Sequence, residues 1–202
     1  LSAGAVDTQS ELVSLSEVVN GILGTASGTA VSPPVTAASF ALLGITGVTS
    51  ENLAAVLAAI AATPTDGSGV DSFSELRLLV DNAVSAAASA LTVISSFTGS
   101  NTAPTLSTYS NAAITGVTAA NIGAVNSLIA ELSSAATDTA AEVQEAVNAY
   151  VALLNTADGV ANGNEAITLA QFQTIGLGVI NTVAEGQLFN SVVDVASTTR
   201  FN

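Results

Sequence analysis

One local pattern returns along this chain at near-constant spacing, and it limits the fold more than any other feature. Asp7-Thr8-Gln9-Ser10-Glu11, Asp71-Ser72-Phe73-Ser74-Glu75 and Asp138-Thr139-Ala140-Ala141-Glu142 each place a hydroxyl residue three positions before a glutamate, with an aspartate just outside. This is the signature of a helix capping box. The hydroxyl accepts from the backbone N–H three residues on, and the glutamate reaches back to the N–H of the cap. An acidic flank also suits the positive end of a helix dipole. Apolar residues follow at helical spacing: Leu12, Leu15, Val19 and Ile22, then Leu76, Leu79, Val80, Ala83, Ala87, Leu91 and Ile94, then Val143, Val147, Tyr150, Val151 and Leu154. Three helices of one type, here type B, are expected.

A second signature lies between them. Residues 45–53 (Ile-Thr-Gly-Val-Thr-Ser-Glu-Asn-Leu) return as residues 114–122, offset by 69, and in worn form at 177–185, where Thr182 and Glu185 restore a full box. Each opens a type A helix. Thr49 and Thr118 are the expected caps, with Asn52 and Asn121 in the glutamate position, and Val48 and Val117 are placed as hydrophobic staples. The apolar stripes are Leu53, Val56, Leu57 and Ile60, then Ile122, Val125, Ile129 and Leu132, then Leu188, Phe189, Val192 and Val193. Upstream of each lies one aromatic, Phe40, Tyr109 or Phe172, in a short helix capped by Thr36, by Ser107 or a near neighbour, and by Thr168.

The expected fold is therefore all-α: tandem repeats of short capped amphipathic helices (short, A, B) with a period of 64–69 residues, packed as an elongated helical bundle array. The expected segments are residues 1–69, 70–137 and 138–202, the third degenerate. A sandwich of short strands competes, because β-branched residues are frequent. Alternation of period two over more than four residues is hard to find, whereas the boxes recur in register. Alanine-rich faces allow close helix approach but bury little area each, so a thin aliphatic core is expected, plugged by one aromatic per repeat.

Composition excludes function classes. Of the 202 residues two are basic (Arg77 and Arg200) and 16 acidic, a formal charge of −14. A nucleic-acid binder needs a positive footprint, so nucleic acid is excluded as a partner, and electrostatic docking on an anionic membrane is disfavoured. His, Cys, Met and Trp are absent, which removes imidazole bases, thiol nucleophiles and the usual zinc, haem and iron–sulfur ligands. The densest apolar run, residues 53–62, is about half the roughly 20 residues a bilayer requires, so direct membrane insertion is not expected. The chain starts at Leu1 without a basic stretch ahead of an apolar one, and reads as a piece of something longer.

Candidate chemistry is sparse. Asp158, Asn162, Asn164 and Glu165, loosened by Gly159 and Gly163, are weak calcium candidates. A 12-residue calcium loop starting at Asp158 fails at its third and last positions, which are Val160 and Leu169, and a solvated turn fits better. The acids are otherwise spaced singly, and several are accounted for as caps, so no catalytic pair and no enzyme is expected. Gly176-x-Gly178 lacks the third glycine of a phosphate loop. No cofactor is expected beyond weak calcium.

Residues 114–126, 138–148 and 154–164 resemble the Gly-Val-Thr-Gly-Val-Thr-Ala-x-Asn-Leu and Asp-Thr-x-x-Glu-Ile-Gln repeats of very long proteobacterial surface proteins exported by type I secretion, adhesins or surface-layer-associated proteins, in which such modules form tandem arrays. Gly47, Val48 and Asn52 match in the first copy and Gly116, Val117 and Asn121 in the second. The third departs, with Val179 and Ile180 where Gly-Val stood. The resemblance implies an extracellular, cell-surface, non-enzymatic structural or spacer role supporting adhesion or surface presentation. Its partners would be neighbouring repeats of the same chain and self-association at the cell surface. A calcium-assisted self-assembling surface-layer subunit, and a ligand-binding module of an adhesin, are the alternatives.

Overall fold

The computed structural model describes residues 6–162 and 167–197. Among them the chain is an all-α helical bundle of nine helices with no β-sheet; one isolated antiparallel bridge pairs Asp158 with Ser197. In order the helices are α1 (Gln9–Ala26), α2 (Ala37–Leu42), α3 (Leu53–Ala61), α4 (Phe73–Ser95), α5 (Leu106–Asn111), α6 (Ile122–Glu131), α7 (Ala140–Thr156), α8 (Leu169–Thr174) and α9 (Val183–Asp194), with one 3₁₀ turn at Ser134–Ala136. The expected type B segments are α1, α4 and α7, the short ones α2, α5 and α8, and the type A ones α3, α6 and α9. No strand forms at 45–60 or 114–130, which hold most of α3 and α6.

The chain divides into two compact units, Leu1–Ser89 with Asn111–Ala113, and Ala90–Ser110 with Ile114–Asn202. The division falls inside α4, because that helix runs unbroken for 23 residues. It does not follow the segments 1–69, 70–137 and 138–202, which were drawn at caps.

In the first unit one apolar cluster joins Ile22 and Ala26 of α1, Phe40 of α2, Val56 and Ile60 of α3, and Leu76 and Val80 of α4. In the second, Leu128, Ala146, Ala149 and Ile175 form one cluster, and Ile167, Phe172 and Ile180 another. Phe172 meets Phe189 edge to face with ring centroids 5.3 Å apart, a favoured aromatic geometry. Phe40, Tyr109 and Phe172, each four residues after the cap of a short helix, are all buried.

Two stripes differ from expectation. On α1 the inward residues are Leu15, Val18, Ile22 and Ala26, while Leu12 and Val19 are exposed. The buried face is turned by roughly a tenth of a turn from the expected one. On α9 Gly186 is buried and Phe189 packs inward, while Leu188 and Val192 are exposed. On α7 the stripe holds at Val143 and Val147 and is widened by buried Ala146 and Ala149. Helix α4 carries an 18-residue window of mean hydropathy 1.5 and is long and apolar enough to cross a membrane by length and composition. Counting apolar runs missed this, because the value is reached through alanines scattered among Ser, Thr and Asn. Leu76, Val80, Ala87, Ala90 and Ile94 of that helix are buried inside the protein.

Each short helix ends in the same way. The N–H of Ile45 returns to the carbonyl of Phe40 (3.0 Å), that of Ile114 to Tyr109 (2.9 Å) and that of Leu177 to Phe172 (2.8 Å). This closure requires a left-handed residue just before the returning N–H. Gly44 (φ 76°) and Gly176 (φ 82°) supply it in two places; Ala113 (φ 58°) holds the equivalent position in the third.

Candidate functional site

The recurrent polar residues of this chain are spent on its own backbone. Thr8 Oγ1 accepts from the Glu11 N–H (3.3 Å), while Glu11 Oε2 accepts from the Thr8 N–H (2.9 Å) and hydroxyl (2.7 Å). Ser72 with Glu75, and Thr139 with Glu142, repeat the arrangement, the latter with Thr139 N–H to Glu142 Oε2 at 3.1 Å. Glu185 accepts from the N–H groups of both Asn181 (3.0 Å) and Thr182 (2.9 Å), and Thr182 caps α9. The short helices use uncharged partners: Thr36 with Ser39, Thr105 with Thr108, and Thr168 with Gln171. The cap of α5 is thus Thr105 and not Ser107, because Thr108 lies three residues beyond it and answers its N–H.

Thr49 and Thr118 differ in part from the expected caps, although the Thr118 hydroxyl does accept from the Asn121 N–H (3.3 Å) as the expected box requires. Regular helix starts at Leu53 and Ile122, with Asn52 and Asn121 at the N-cap position, and each threonine heads a preceding turn. Each asparagine acts as a two-sided clasp. Asn52 Oδ1 accepts from the Thr49 N–H (2.9 Å) and its Nδ2 donates to the Gly47 carbonyl (2.9 Å). Asn121 does the same with Thr118 (2.7 Å) and Gly116 (2.9 Å). A glutamate accepts but cannot donate, so only an amide can hold both strands of this turn.

Two further asparagines escape a reading of spacing. Asn126 Nδ2 donates to the Pro104 carbonyl (3.0 Å) and its Oδ1 accepts from the Tyr109 hydroxyl (2.7 Å). Asn190 Nδ2 donates to the Ile167 carbonyl (2.9 Å) and its Oδ1 accepts from the Ile167 N–H (3.2 Å). Pro104 and Ile167 each lie one residue ahead of a short-helix cap, and Asn126 and Asn190 each lie eight residues after the threonine that heads a type A segment. The visible signal was the shared offset from Thr118 and Thr182. A third amide, Gln144 of α7, accepts from the Thr115 N–H (2.7 Å) and donates to the Thr115 carbonyl (3.2 Å).

The cap glutamates are electrostatically specialised. Hydrogen bonds from Thr8, Ser72 and Thr139 hold Glu11, Glu75 and Glu142 below the ordinary glutamate range, and the Asn181 N–H does so for Glu185. Asp71 and Asp138 move the other way. Each shares a hydrogen bond with the neighbouring glutamate and is repelled by its charge, which favours the protonated aspartate.

Of the calcium candidates, Asn164 and Glu165 lie outside the described residues. Asp158 Oδ1 accepts from the Val160 N–H (2.8 Å) and its Oδ2 from the Asn162 side-chain amide (2.9 Å), so the carboxylate closes its own turn. Among the described residues no three acidic side chains gather in a way that could hold a metal ion. Glu131, Glu142 and Glu145 do line one open cleft of about 470 Å³, beside Gln173 and Thr174. No family model, curated protein or solved structure matches this chain.

Proposed function

We propose that this chain is a non-enzymatic structural module of a secreted bacterial cell-surface protein, a spacer built of tandem helical repeats that supports adhesion or surface presentation. The single observation that carries the reading is the reuse of one set of backbone ties at equivalent positions. Thr36, Thr105 and Thr168 cap the short helices, Phe40, Tyr109 and Phe172 plug them, and Asn126 and Asn190 tether the residue ahead of the cap. A catalytic or ligand-binding site needs polar groups directed outward at a substrate. Here the recurrent polar groups are directed at the chain, which fits a part whose task is to hold shape.

The extracellular and adhesin-related parts of the reading are supported by the resemblance of residues 114–126 and 138–148 to surface-protein repeats. The test is to sequence the gene on both sides of this segment and to probe intact cells with an antibody to it. Further copies at a period of 64–69 residues and labelling of unpermeabilised cells are expected. A solitary segment with no surface labelling overturns the proposal.

A further inference from the structure

We draw no further inference here: the strongest candidate, the open cleft that Glu131 at the end of α6 and Glu142 and Glu145 of α7 line beside Gln173 and Thr174 of α8, is a cluster of acidic side chains, and nothing in the structure shows what would fill it.

Discussion

Thr139 carries a complete capping box at the start of α7, with its hydroxyl accepting from Glu142 and the Glu142 carboxylate answering its N–H. Thr139→Ala leaves those donors to water and is expected to cost about 1 kcal/mol, read as a lower denaturation midpoint with an unchanged slope. Ala113 is the informative contrast, since it occupies the left-handed position that Gly44 and Gly176 fill elsewhere. A Cβ there is strained by roughly 1–2 kcal/mol, so Ala113→Gly should raise the melting temperature and Gly176→Ala should lower it. The acids give a pH dependence of definite sign. Glu11, Glu75, Glu142 and Glu185 have folded values below the unfolded ones, so their contribution is present above the ordinary glutamate range and disappears as pH falls through the folded values. Asp71 and Asp138, held higher when folded, act oppositely and offset part of that loss, because they stabilise the fold only when protonated. Asp138→Asn should therefore raise the melting temperature at neutral pH and steepen its fall in acid.

At the scale of the element, the short helices are held by single amides. Asn190 satisfies both backbone groups of buried Ile167, and its replacement by Ala would leave a buried N–H and carbonyl without that partner, a cost of about 2 kcal/mol. Chemical denaturation of Asn190→Ala measures it, and an effect below a few tenths of a kcal/mol would mean water replaces the amide freely. These elements were unevenly legible in the sequence. The boxes at Thr8, Ser72, Thr139 and Thr182 announce themselves, because a hydroxyl and a glutamate three residues apart interact locally. Asn126 and Asn190 do not, because their partners lie 22 and 23 residues away and an asparagine on a helix gives no hint of what it will meet. The stripe of α1 was misread for a related reason. Leu12 and Val19 follow the pattern of α4 and α7, but periodicity marks every apolar face of a helix and does not say which one has a neighbour.

The molecule as a whole carries −14 with few countercharges, and the ion pair found among the described residues is Arg77 with Asp81 at 3.7 Å on an exposed surface. Self-repulsion of this kind is relieved by dissolved ions. Raising sodium chloride from about 10 mM to about 150 mM, which shortens the screening length roughly fourfold, should raise the melting temperature, whereas a chelator at constant ionic strength should leave it unchanged. A loss of helical signal on chelation would restore the segment from Asp158 to Glu165 as a metal site. The buried phenol of Tyr109 gives this chain a built-in optical gauge. With two tyrosines and no cysteine, the absorbance that grows in alkali on ionisation comes from those two rings alone. Burial lifts the Tyr109 phenol well above the usual tyrosine range, so its ionised form belongs to the unfolded chain. In an alkaline absorbance titration the phenolate signal of Tyr109 should arrive together with the loss of helix, and a Tyr109→Phe chain should lose that step.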